Sequence, residues 1–348
     1  MHHTHIKQNN NMKYEYEILK VGDADIIIIR QYINNESFLI LIDAGNANNS
    51  STIKNHLKQY YKTTYIDLAI CTHPDSDHKD GFFDLLQDPE MTFAEFWLTD
   101  PAEYIDENDI ARYRNHDNAV RAVRKIWNKS TDDRLNLIDL ACSKCSIVRS
   151  VIDGVKHSIL PISIVGPTSM YYQEVVKNMV QQYGINTYDD SSKELYDDTF
   201  RIDDKEIQSV IDTVEDESPY NASSLIVLYR PGDGKQFLFT GDANTTSLAI
   251  MIEKYRWIRN IDLLKVPHHG SRRNLNTKII TELAPKKSYI SAAGNAKHPN
   301  GRLVYWLAKH GPVYSTHTAN GYIHAKSAEM EAREGVSTLA PLKAKTII

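Results

Sequence analysis

The sequence is poor in cysteine: its 348 residues hold three, Cys71, Cys142 and Cys145. So few give no disulfide framework, and a reducing, cytoplasmic compartment is the simplest reading. Cys142 and Cys145 have C-x-x-C spacing, but no second pair completes a zinc site and no strand-to-helix turn presents them as a redox pair. Long apolar runs are missing too. Ile26-Ile27-Ile28-Ile29 and Phe38-Leu39-Ile40-Leu41-Ile42 are strand-length, short of the roughly 20 residues that span a bilayer. No membrane role is expected. Residues 1–12, with His2, His3, His5 and an asparagine run, lack the apolar core of a secretory signal and read as a disordered lead-in. Positive charge is also in deficit. A net charge of -5 and a pI near 6.3 exclude a protein that holds nucleic acid by overall basicity, although the field at a cleft can differ from the net value.

What remains is ordinary globular composition, 41% hydrophobic and 24% charged. Residues 13–348 read as one α/β domain. Alternating segments at 14–20, 24–32 and 37–42 predict a three-strand meander, with turn chemistry at Gly22-Asp23 and Asn34-Asn35. A helix is expected at 51–61 and a buried strand at 66–71. Residues 105–150 read as a mostly helical insertion, and 186–217 as polar, acidic loop. From 224 onward, strands at 225–229, 237–239, 263–266, 288–291 and 313–314 alternate with helices at 246–255, 277–283 and 302–310. Two β-rich halves, each followed by helices, predict two stacked sheets with helices outside.

The chemistry concentrates at strand ends. His73, Asp75, Asp77 and His78 fall within six residues directly after the 66–71 strand. Two imidazoles and two carboxylates this close repel and are poorly solvated without a cation between them; a polar turn with a capping aspartate is the competing reading. Asp242 emerges from Phe237-Leu238-Phe239-Thr240-Gly241, where a helix cap is the alternative. His268-His269 follow Leu263-Leu264-Lys265-Val266-Pro267 in the same manner. Together these residues supply enough ligands for two metal ions that share a carboxylate.

The ordered series Val21-Gly22-Asp23-Ala24-Asp25, Leu41-Ile42-Asp43-Ala44-Gly45, Thr72-His73-Pro74-Asp75-Ser76-Asp77-His78, Asn221-Ala222-Ser223-Ser224, Thr240-Gly241-Asp242 and Pro267-His268-His269-Gly270-Ser271 resembles the metallo-β-lactamase superfamily, in its ComEC-like branch. His298-Pro299 and the 313–323 segment extend the resemblance. It implies an αββα sandwich and a dinuclear centre, with His73 and Asp75 on one metal, Asp77 and His78 on the other, and Asp242 bridging. Either His268 or His269 would be a ligand, since neighbouring side chains on a strand point opposite ways. Asp43 would orient a ligand without touching metal, and His298 would be a late ligand or a proton donor. The usual second histidine of the motif is replaced here by Asp75, and Asn221 and Ser224 stand where many relatives carry another. The 105–150 segment lies outside the shared pattern.

An oxygen-rich ligand set favours Mn²⁺, with Zn²⁺ competitive. Two ions about 3.5–4 Å apart suit phosphodiester hydrolysis, and Arg272 and Arg273 are candidates to hold the phosphate, with solvated surface arginines as the alternative. Between 111 and 129, Arg112, Arg114, Arg121, Arg124, Lys125 and Lys129 accompany Tyr113 and Trp127. A solvated charged face is the first reading there, and a track for a nucleic-acid backbone the second. Three functions follow: a phosphodiesterase or nuclease, a hydrolase of a small phosphoester or other small-molecule substrate, or an effector subunit of a multi-protein system that docks a partner through 105–150.

Overall fold

The isoleucine run at 26–29 reads as a strand buried on both faces, and the computed structural model shows why. Ile27 and Ile29 pack toward a facing sheet, while Ile26 and Ile28 pack under helices. The structure describes residues 13–106, 115–129, 136–182 and 200–348, the last without positions 335, 337, 345 and 348. The expected lead-in at 1–12 lies outside them, as do Arg112, Tyr113 and Arg114.

In chain order the strands are β1 (Tyr14–Leu19), β2 (Ile27–Ile33), β3 (Glu36–Ile42), β4 (Tyr65–Ile70), β5 (Thr92–Leu98), β6 (Ile147–Ser150) and β7 (Ile162–Gly166). They continue as β8 (Phe200–Arg201), β9 (Ile226–Tyr229), β10 (Phe237–Phe239), β11 (Leu263–Lys265), β12 (Ser288–Ile290), β13 (Val313–Ser315), β14 (Tyr322–Lys326) and β15 (Thr346–Ile347). One sheet has the order β14-β1-β2-β3-β4-β5-β6 and the other β13-β12-β11-β10-β9-β7; β15 and β8 form a small ribbon.

Residues Ile18, Ile40, Leu68, Ile164, Val227 and Phe239 fill the space between the two large sheets. Helices Ser50–His56, Ser76–Gln87 and Leu137–Lys144 cover the outer face of the first sheet through Ile53, Phe82, Leu85 and Ile138. Helices Thr245–Lys254, Thr277–Leu283 and Gly301–Ala308 cover the second through Leu248, Ile280 and Leu303. The expected four-layer αββα arrangement is therefore present. Phe82, fully buried against Phe96, anchors the helix that begins the metal motif; truncating such a phenylalanine to alanine costs about 3–5 kcal/mol.

The structure departs from the sequence reading in four places. The 105–150 segment holds helices His116–Asn128 and Leu137–Lys144, but it ends in β6, which pairs parallel with β5 and belongs to the first sheet. The 186–217 stretch contains helix Asp204–Asp212, whose cap Asp203 accepts from the Lys205 and Glu206 amides. β14 was not foreseen, and it closes the first sheet by pairing antiparallel with β1. Trp127 is 2% exposed within the core, so it is no part of a surface for nucleic acid. Among the described residues no helix is long and apolar enough to cross a membrane.

Candidate metal centre

The site is assembled from loops at one end of both sheets. β4 runs into Thr72, whose amide and hydroxyl both donate to Asp43 at 2.7 Å and fix the chain just before His73. Helix Ser76–Gln87 starts at once, which places Asp77 and His78 in its first turn, where the helix dipole favours a carboxylate. Gly81 lets this helix lie against the loop after β3: a Cβ there would stand 2.1 Å from the Ala44 carbonyl oxygen. That approach brings His78 Nδ1 to 2.7 Å from Asp43 Oδ2. From the second sheet, Gly241 takes φ +49 and its position abuts the Thr72 hydroxyl, so Asp242 projects across to the first sheet.

Asp77, His78, Asp242 and His269 each offer a ligand atom, and these atoms lie within 4.8 Å of one another. His269 Nε2 is 2.9 Å from Asp77 Oδ2, and His78 Nε2 is 3.3 Å from Asp242 Oδ1. His73 Nε2 lies 3.9 Å from Asp242 Oδ2, with its ring 4.1 Å from that of His78. All three imidazoles are held from behind by Nδ1: His73 by the Thr72 hydroxyl, His78 by Asp43, and His269 by the Ser291 carbonyl at 3.0 Å. Anchoring Nδ1 turns Nε2 inward, the arrangement that orients metal-binding histidines. His73 Nε2 and His78 Nε2 are buried without a hydrogen-bond partner. Buried polar atoms seldom go unpaired, so the donor set fits a divalent cation.

The protonation pattern agrees. Burial opposes charge on His78 and His269, yet neighbouring carboxylates outweigh it and raise both pKa values: Asp242, Asp77 and Asp43 for His78, and chiefly Asp77 and Asp242 for His269. Asp77 and Asp242 are pulled low despite burial, with His78 the largest counteracting influence on each. His73 is pushed down by burial and by His78. Carboxylates this deep draw protons onto the imidazoles, where a bound cation would replace them.

The other sequence candidates take distinct places. Asp75 precedes the helix and pairs with Lys129 Nζ at 2.6 Å, outside the four-residue group. His268 and His269 both have left-handed backbones, φ 45 and 53, and their side chains diverge. His269 enters the cluster, whereas His268 Nδ1 meets Asp216 at 3.2 Å and Asn274 at 3.1 Å. Asn221 donates to Asp216 at 2.6 Å, and the Ser224 hydroxyl accepts from the Asp242 amide at 3.0 Å. Arg272 and Arg273 donate to the carbonyls of Val210 and Glu215, so in this structure they brace the segment before the site. His298 sits 6.0 Å, ring to ring, from His269, and burial with the two histidines pushes its pKa down to about 3.

Sequence reading missed Asp25, Lys265, Asp216 and Asn274. Asp25 and Lys265 are fully buried and form an ion pair between the sheets; Asp25 also lies 3.9 Å from Nδ1 of both His78 and His269. One signal was available: Lys265 occupies an inward position in an otherwise apolar strand, where a lone lysine requires a partner.

No family model matches the chain. Over 115 residues, 32% of its length, the chain is 30% identical to ComE operon protein 3 of Bacillus subtilis (strain 168), and it spans 15% of that protein. Among solved structures it is similar to the metallo-β-lactamase fold protein YhfI from Bacillus subtilis, with a TM-score of 0.42 and 11% identity over 90% of this chain and 99% of that one. It is also similar to a diphosphatase from the PhnP family, with a TM-score of 0.41 and 9% identity over 91% and 99% of the two chains.

Proposed function

We propose that this protein is a metal-dependent phosphodiesterase, acting on nucleic acid, with Asp77, His78, Asp242, His269 and His73 as its metal ligands. One observation carries the reading: three imidazoles anchored at Nδ1 present Nε2 toward two carboxylates, the buried Asp242 and the partly buried Asp77. The motif series of the ComEC-like branch supports the same reading, as does the partial identity with ComE operon protein 3.

Bound divalent ions would supply Lewis acidity, lowering the pKa of water and offsetting charge on phosphoryl oxygens. The chain supplies the rest. Asp43 holds the His78 ring in place, and the Ser291 carbonyl does the same for His269. Asp242 reaches from the second sheet to both His73 and His78, and would be the carboxylate that the metal ligands from the two sheets share. Asp75, at the edge of the cluster and bound to Lys129, would complete the ligand set only by leaving that lysine. Burial and the neighbouring histidines disfavour charge on His298, and a neutral ring with a free lone pair would suit a late ligand better than an acid.

The test is cleavage of end-labelled single- and double-stranded DNA by metal-stripped protein reloaded with Mn²⁺ or Zn²⁺, with Asp77→Ala as control. Metal-dependent cutting lost in the variant is the expected result. Cleavage of a small phosphodiester alone would move the substrate to a low-molecular-weight ester, and inertness toward both would overturn the reading.

A further inference from the structure

The second sheet has another end. β9 begins beside the metal centre, where the Leu225 amide donates to the Thr72 carbonyl, and it leads away for four residues, about 13 Å of strand. At that far end lies a cleft of about 600 Å³ between β7, the turn after β9 and the segment after helix Thr245–Lys254. Lys156, His157, Arg230, Lys235, Tyr255 and Trp257 contribute its polar and aromatic lining, and no aspartate or glutamate lines it. A local cation excess is not inherited from a chain of net charge -5.

Two of the cations are without a carboxylate partner among the described residues. Lys235 pairs with Asp233 at 2.8 Å. Lys156 and Arg230 are exposed, and among the described residues neither has a carboxylate within 4.0 Å. Arg230 lies over the Trp257 ring, 5.0 Å from its centroid, and Trp257 is 50% exposed, unlike Trp97 and Trp127 in the core. A half-exposed indole with a guanidinium plate beside it is a stacking platform. Lys156 and Lys235 line the same cleft as this platform, so a stacked base and its phosphate can both be met there.

We propose that this cleft binds a nucleotide unit of single-stranded nucleic acid, with the base on the Arg230–Trp257 platform and the phosphate on Lys156 and Lys235. A base paired inside a duplex cannot stack there, so single strands are preferred. The inference extends the phosphodiester reading, but it concerns binding at a place remote from the metal centre, so either can fail alone.

The experiment is fluorescence anisotropy of a labelled oligothymidylate, about eight nucleotides long, with the metal-stripped full chain at low salt. Trp257→Ala and the double variant Lys156→Glu/Arg230→Glu should each weaken binding by about tenfold or more. Trp257→Phe should recover most of the loss. Unchanged affinity in the cleft variants, no binding by the parent protein, or equal competition by a duplex or by polyglutamate would each overturn the proposal. Thermal melting of the same variants at the parental temperature rules out unfolding as the cause of a loss.

Discussion

Among the described residues, one cluster of acids and histidine lies on β1 and another at the sheet ends, where Asp25 and Asp43 also back His78, and the two solve the same electrostatic problem differently. Glu15 and Glu17 on β1 lie with His324 at ligand-like distances, as do Asp77, His78, Asp242 and His269 at the sheet ends. The glutamate cluster brings its own cations. Arg30 and Arg333 pair with Glu15, and Arg333 and His56 with Glu17, while the Arg333 guanidinium lies 4.7 Å from the Tyr60 ring and 5.3 Å from that of Tyr61. At the aspartate cluster the nearby lysine, Lys265, is committed to Asp25, and two imidazole nitrogens, Nε2 of His73 and of His78, face Asp242 without a hydrogen-bond partner. Proximity of acids and histidines therefore does not mark a metal site. An uncompensated set of inward-facing donors does.

The sharpest way to break this contrast is Asp242→Ala. The variant should lose metal affinity at least about 100-fold, read by isothermal titration and by metal content after gel filtration. Glu17→Gln should leave metal content unchanged. If the glutamate variant lost metal and the aspartate variant kept it, the assignment of the two clusters would be reversed.

Next in size is Arg333→Met, which leaves two buried glutamates short of a cation. Removing one partner of a buried pair typically costs about 3 kcal/mol or more, and urea unfolding should show a loss of that order with metal stoichiometry intact. A loss of metal with unchanged stability would show that the two clusters are coupled through the first sheet.

The two clusters were also unequally legible in the sequence. His73 to His78 is contiguous, follows an apolar strand and announces itself. The glutamates at 15 and 17 have their partners at 30, 56, 324 and 333, and nothing local pairs them. β14 went unread because Tyr322-Ile323-His324-Ala325-Lys326 is half polar, and its place is set by pairing with β1. Helix Asp204–Asp212 hid in a polar stretch because it buries only Ile207 and Ile211. The choice between His268 and His269 was beyond strand alternation, since both residues have left-handed backbones that only the folded loop specifies. The Asp25–Lys265 pair joins opposite sheets, which no spacing rule reaches.

A smaller effect tests how the donors are aimed. Asp43→Asn keeps the shape but removes the charge behind His78, and should lower metal affinity by about 10–100-fold without abolishing it. Isothermal titration measures this directly. An affinity equal to the parent's would mean that His78 is oriented by packing alone.

The smallest expected effect concerns protons. His78 and His269 have raised pKa values in the metal-free protein, so below those values each carries a proton that an incoming cation must displace. Raising the pH toward the shifted values removes the competitor, so apparent affinity should rise with pH, by up to about tenfold per unit for each proton released. Titration in two buffers of different ionisation enthalpy reads that release as a difference in observed heat. The Glu15–Glu17 cluster, saturated by arginine, should contribute nothing to it, and in Arg333→Met the release should be the same as in the parent. A release of zero at neutral pH would mean that the inward imidazoles are already unprotonated before a metal binds, against the raised pKa values of His78 and His269.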